Sequence, residues 1–142
     1  MDKRGPIIII EDSKEDQKIL IEIFKKLDYS NKLVFFHDGN DALEYLNETD
    51  KIPFLILSDI NMPKINGFEL RSKIQENKEL ALKCVPFLFF SNGANKQSVS
   101  DAYSMSVQGF FRKPIEYDKL ENTMKKIMDY WKECIAPSDF GE

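Results

Sequence analysis

The sequence predicts an α/β fold, a doubly wound parallel sheet with helices on both faces. Two observations predict it: short apolar runs that lack a polar face, and helical periodicity in the segments between them. A strand covered on one side only would alternate apolar and polar residues, and these runs do not. The 142 residues suit one domain with one core, and 42% hydrophobic with 31% charged residues is the balance of an ordinary globular chain.

Taken in order, Gly5–Pro6 introduces Ile7–Ile8–Ile9–Ile10, a β-branched run that reads as the first strand. Ser13, with Asp16 three residues on, makes a capping signature, and Leu20, Phe24 and Leu27 recur at helical spacing up to the polar residues 28–31. Residues 33–37 read as a second strand and 41–47 as a short helix with Ala42, Tyr45 and Leu46 on one face. Residues 53–58 give a third strand. The alternation continues as a helix over 68–75, a strand over 86–90, a helix over 96–105 and a strand over 107–111. In the last helix Leu120, Met124, Ile127, Met128 and Trp131 line one side, with Lys119, Lys125, Lys126, Asp129 and Lys132 around the other. Five strands and five helices result, with a longer connection over residues 76–85 before the fourth strand. A single unit over 1–142 is expected, its core at about 6–133 and a short tail at 134–142.

Bulk properties exclude several functions. The longest apolar stretch, residues 6–10, is far short of the ~20 residues of a membrane span, and Met1–Asp2–Lys3–Arg4 leads into it without a signal-cleavage pattern. A cytoplasmic protein with no membrane partner is expected. Cys84 and Cys134 lack metal-ligand spacing and read as ordinary thiols. A net charge of −4 and a pI near 5.2 argue against nucleic acid, whose phosphates need a basic patch, and favour a protein partner. His37 is the only histidine, too few for a catalytic triad or a His-rich metal site, and no Gly-rich phosphate loop is present.

In such a sheet ligands gather at the carboxyl ends of the strands. The polar residues just beyond those ends are Glu11 and Asp12, Asp59, Ser91 and Lys113. Singly, an Asp or Ser after a strand is usually a turn or helix cap, and a Lys a solvated charge. Jointly they converge. Three ionised carboxylates repel one another unless a cation lies between them, and an all-oxygen site selects magnesium, or another oxygen-loving divalent ion such as manganese. A carboxylate beside a metal, a lysine and a hydroxyl has what it needs to attack a phosphoryl donor.

The segments Ile7–Ile8–Ile9–Ile10–Glu11–Asp12, Leu57–Ser58–Asp59–Ile60–Asn61–Met62–Pro63 with Gly67, Phe90–Ser91 and Phe111–Arg112–Lys113–Pro114 occur in one order that resembles the receiver domains of bacterial two-component response regulators. The similarity covers roughly residues 6 to 133. It implies the flavodoxin-like, CheY-like sheet of strand order 2-1-3-4-5. It makes Asp59 the phospho-acceptor, with Glu11, Asp12, Asp59 and the main-chain carbonyl of Asn61 around Mg2+ (or Mn2+). Lys113 would pair with the phosphoryl group, Ser91 would be the switch hydroxyl, Phe110 the coupled aromatic, and Lys113–Pro114 a cis peptide. The donor would be a sensor histidine kinase or a histidine phosphotransfer protein. Output would reach a downstream protein, or a second copy of the chain, through the face of the fourth helix, fifth strand and fifth helix.

The expected protein is therefore a stand-alone phosphorelay module rather than a turnover enzyme. Two other readings stay open: a small Mg2+-dependent aspartyl phosphatase, which wants an aspartate where Asn61 stands, and a phosphate-independent binding module on the same fold. Asn92 departs from the resemblance by placing a larger residue after Ser91, which bears on the lifetime of the phosphorylated state.

Overall fold

The computed structural model describes residues 1–141. Its strands are β1 Ile7–Ile10, β2 Leu33–Phe36, β3 Leu55–Ser58, β4 Phe87–Ser91 and β5 Gly109–Arg112. All neighbours run parallel, in the order β2-β1-β3-β4-β5. The order reverses between β1 and β3, so the loops leaving these two strands diverge and open a crevice at their carboxyl ends.

The helices are α1 Lys14–Leu27, α2 Gly39–Glu48, α3 Gly67–Glu76, α4 Lys78–Leu82, α5 Lys96–Ser104 and α6 Tyr117–Glu133. Alternate residues of each strand feed opposite cores. Ile7, Ile9, Leu55, Leu57, Leu88 and Phe90 pack with Leu20, Ile23 and Phe24 of α1 and Met124, Ile127 and Met128 of α6. Ile8, Ile10, Ile56, Phe87 and Phe89 pack with Ala42 and Leu46 of α2, Leu70 and Ile74 of α3, Leu80 of α4 and Ala102 of α5. This two-sided burial is why the strands show no polar face.

Three expectations need correction. Among the described residues there are six α-helices rather than five: the long connection folds into α4, capped by Asn77, whose Oδ1 accepts from Leu80 N at 3.2 Å. β5 begins at Gly109 rather than Val107, because Gln108 N bonds Phe87 O ahead of the ladder, at 3.0 Å. The tail is anchored. Ala136 is buried, residues Pro137–Phe140 form a 3-10 turn, and Lys3 holds it through Nζ to Asp139 Oδ2 at 3.0 Å and N to Ser138 Oγ at 3.1 Å. With the extra helix counted, the expected output face becomes α5, β5 and α6.

Candidate functional site

Glu11, Asp59, Ser91 and Lys113 are delivered by the ends of strands. The ladder continues one step beyond β1 and β3, with Glu11 N bonded to Phe36 O at 3.0 Å and Asp59 N to Ile10 O at 3.1 Å. Lys113 N bonds Ser91 O at 3.0 Å, extending β5 in the same way. Ser91 is the last residue of β4 and is buried. Sheet hydrogen bonding thus sets the backbone positions of Glu11, Asp59, Ser91 and Lys113.

The carboxylates of Glu11, Asp12 and Asp59 each offer an oxygen within 4.8 Å of the others. Lys113 Nζ donates to Glu11 Oε1 and lies 3.3 Å from Asp59 Oδ2 and 3.8 Å from Asp16 Oδ2. The other Asp59 oxygen accepts from Ile60 N at 2.7 Å, and the other Glu11 oxygen from Ser13 N at 3.1 Å. Both carboxylates are thereby fixed in orientation, each held by one main-chain donor and one shared ammonium. Burial pushes the Glu11 carboxyl above its ordinary range, against the hydrogen bond and charge of Lys113, which pull it down. Burial alone would lower the Lys113 ammonium, but the hydrogen bond and charge of Glu11 and the charge of Asp59 outweigh it and raise it. An oxygen-only set of this charge suits a hard divalent cation.

Asn61 and Ser91 border one another across Gly93. A Cβ on Gly93 would lie 3.6 Å from Asn61 Nδ2 and 4.0 Å from Ser91 Oγ, and Gly93 N already donates to that hydroxyl at 3.3 Å. Gly67 is required for a different reason. A Cβ there would fall 2.5 Å from Asp59 O and 2.7 Å from Phe89 Cε1, so only glycine lets the start of α3 pass under the acceptor. Phe110 is half-buried with its ring 5.9 Å from Phe89, which itself lies 5.2 Å from both Phe68 and Phe87. The Lys113–Pro114 bond is trans, not cis. The two forms of an X–Pro bond differ by only ~0.5–1 kcal/mol, so sequence alone does not select between them, and the lysine reaches its partners from the trans form.

Sequence reasoning missed three contributors. Gln17 Nε2 donates to Glu11 O at 2.7 Å, Ser58 Oγ donates to Asp59 O at 2.7 Å, and Asp16 borders Lys113. Asp16 and Gln17 lie in the first turn of α1, where side chains lean back toward the helix start and so toward the end of β1. That geometry was the available signal. A cavity of about 280 Å³ opens beside the cluster, lined by Glu11, Asp16, Lys113, Pro114, Ile115 and Tyr117 among others. A groove of about 620 Å³ lies elsewhere, at the base of the sheet, and none of these carboxylates lines it.

Residues 7–125 match the family described as the response regulator receiver domain. The chain belongs to that family. This receiver is 28% identical over 135 residues to response regulator Rcp1 of Synechocystis sp., covering 92% of this chain and 90% of that protein. It is 26% identical over 129 residues to the probable methanogenesis regulatory protein FilR2 of Methanothrix harundinacea, covering 88% of this chain and 82% of that one. Among solved structures it resembles the phosphorylated cyanobacterial phytochrome response regulator RcpA, with a TM-score of 0.85, 26% identity and coverage of 95% and 99% of the two chains. The Mn(2+)-bound form of Rcp1 follows at a TM-score of 0.81, 27% identity and coverage of 94% and 97%. Receiver domains are two-component signalling modules that accept phosphate from histidine kinases and bind Mg2+ or Mn2+ at an acidic pocket. No helix among the described residues is long and apolar enough to cross a membrane.

Proposed function

We propose that this receiver takes a phosphoryl group from a sensor histidine kinase or a histidine phosphotransfer protein onto Asp59, and signals to a downstream protein by a conformational change. The observation that carries it is the placement of Asp59 between an ammonium and two further carboxylates, with one oxygen 3.3 Å from Lys113 Nζ and the three acids within 4.8 Å. A carboxylate alone is a poor nucleophile toward a dianionic phosphoryl group, and the reaction needs positioning and charge neutralisation more than covalent assistance. An Asp59 oxygen forms the new P–O bond as the donor's P–N bond breaks. The freed imidazole keeps the electron pair and takes up a proton. Lys113 would pass from the carboxylates to the phosphoryl oxygens.

Glu11, Asp12 and Asp59, with the carbonyl of Asn61, are the residues that would hold Mg2+ or Mn2+, and the donor chemistry fits: all hard oxygens, net negative even with Lys113 present. When bound, the cation supplies neutralisation of the carboxylates and of the incoming phosphoryl oxygens. Ser91 would then donate to a phosphoryl oxygen and draw residues 92–95 inward, with Phe110 following. Phosphorylation adds about 1.5–2 negative charges, enough to reorder a loop of marginal stability. Output would leave through α5, β5 and α6, to a downstream protein or a second copy of the chain. The receiver unit is read as 1–142, its core reaching Met1 and Ala136 at the two ends, in the cytoplasm, without nucleic-acid or membrane partners. Asn61 denies a phosphatase reading its general acid.

Intact mass after incubation with acetyl phosphate or a phosphoramidate, with and without Mg2+, tests the proposal beside Asp59→Asn. The expected result is a gain of one phosphoryl group that needs Mg2+ and is lost in the variant. No gain in folded protein would sink the mechanism in favour of a phosphate-independent binding module.

A further inference from the structure

Helix α5 is held differently at its two ends. Its N-terminal end is capped locally, Asn95 Oδ1 accepting from Ser98 N at 2.9 Å and Ser98 Oγ from Asn95 N at 3.1 Å. Among the described residues, the only longer-range bond to its lead-in segment, from Arg112 Nη2 to Ala94 O, is 3.4 Å long and exposed. This end adjoins Ser91 through Gly93. The C-terminal end is gripped from another element. Arg71 of α3 donates through Nε to Met105 O at 3.1 Å and through Nη2 to Ser106 O at 2.7 Å. Its guanidinium lies 5.4 Å from the ring centroid of Phe87 in β4. Gln108 completes the grip, with Nε2 on Ser106 O at 2.9 Å and Oε1 accepting from Phe87 N at 2.7 Å.

Arg71 is only 8% exposed and forms no ion pair among the described residues. A buried cation without a carboxylate is costly unless something else compensates it. Here the compensation comes from the carbonyls of the C-cap Met105 and of Ser106 just beyond it, which accept from the arginine beside the negative end of α5. Charged donors to carbonyls are also stronger than neutral ones. Ser106 adds a fixed kink, at φ 59 in the left-handed region, directly where the arginine binds.

We propose that Arg71 is a clamp that makes the C-terminal end of α5 a fixed pivot, so that rearrangement beginning at Ser91 swings only the N-terminal end of the helix. The proposal rests on the phospho-acceptor reading above for its trigger. Arg71 touches no reacting atom and acts as a positioning residue, converting a local loop movement into a directed tilt of the output face.

Amide hydrogen exchange on the full chain tests it, comparing wild type, Arg71→Leu and Arg71→Lys, each unmodified and after acetyl phosphate with Mg2+. In wild type, phosphorylation should change exchange over residues 92–99 and leave 102–108 unaltered. In unmodified Arg71→Leu, exchange over 102–108 should rise by roughly tenfold or more, and the phosphorylation-induced change should spread along the whole helix. Arg71→Lys keeps the charge but loses the fork, and should fall between them while retaining the global protection of wild type. Equal phosphorylation-induced changes at both ends of wild-type α5, or an Arg71→Leu profile that overlays wild type, would overturn the pivot. Should the protein take up no phosphoryl group, the receiver mechanism fails, and the unmodified proteins still decide whether Arg71 holds the helix end.

Discussion

At the carboxyl ends of the strands Glu11, Asp12, Asp59 and Lys113 crowd into one cluster, whereas at the amino ends charged groups are spread over separate contacts that tie the chain termini and α6 to their neighbours. There Lys3 reaches Asp139 at 3.0 Å, Lys132 Nζ donates to Lys3 O at 2.8 Å, and Tyr29 donates to Asp129 at 2.6 Å. The first arrangement gathers like charges that repel, and it persists because the sheet ladder fixes the backbone beneath them. The second satisfies each group locally. One end of the molecule is organised for chemistry at a cost in stability, the other for stability.

The largest expected effect comes from removing Lys113, the one cation among the described residues that offsets the repulsion. Lys113 is 10% exposed at its side chain and Glu11 4%, so Lys113→Ala leaves a buried carboxylate facing two others. Loss of one partner from such a buried arrangement costs about 3–5 kcal/mol. Urea unfolding in chelator-containing buffer should show that loss, and phosphoryl uptake should fall with it. A variant as stable as wild type would break the comparison, because it would mean that water already relieves the cluster.

A smaller effect is expected beside the acceptor. In Gly67→Ala the new methyl would meet Asp59 O at 2.5 Å and Ile60 Cα at 3.0 Å, both backbone atoms that cannot swing aside. Overpacking of this kind costs about 1–3 kcal/mol, and displacing Asp59 should slow phosphoryl uptake as well. Gly93→Ala is the control, since its nearest neighbour would be a side-chain nitrogen at 3.6 Å. Equal rates of uptake in the two variants would show that the acceptor tolerates backbone displacement, and the contrast between the ends would lose its sharpness.

The fold and the cluster were legible for one physical reason. Strands buried on both faces must be apolar throughout, so Ile7–Ile10 and Leu55–Ser58 announce themselves, and the polar residues that stop them then fall at one edge of the sheet. What stayed hidden was short or non-local. Helix α4 is five residues long, with Leu80 buried and Leu82 81% exposed, too brief to build a periodic stripe. The tail looked free because its anchor, Lys3, is 136 residues away from Asp139 in the chain. Arg71 reads as one more polar residue on an amphipathic helix, and only the position of α5 turns it into a clamp. The Lys113–Pro114 isomer depends on an energy difference smaller than the context can reverse.

The smallest effect separates the two ends by pH. Burial, then the hydrogen bond and charge of Asp129, push the Tyr29 phenol up to about 12. Its folded value thus lies above the unfolded value of ~10, so its contribution to stability is complete below about pH 10 and disappears as pH rises toward about 12. Asp129 moves the opposite way, held below the ordinary carboxylate range first by the hydrogen bond from Lys125 and then by that from Tyr29. Its share is present above ~4 and lost as pH falls below that value. Tyr29→Phe removes the bond without removing the ring that packs against Phe24 at 6.3 Å. The stability gap between wild type and Tyr29→Phe, followed by thermal unfolding from about pH 8 to about 12, should therefore narrow as the phenol ionises. A gap that stays constant across that range would assign the stabilisation to the ring alone, and this amino-end contact would then hold α6 by packing rather than by charge.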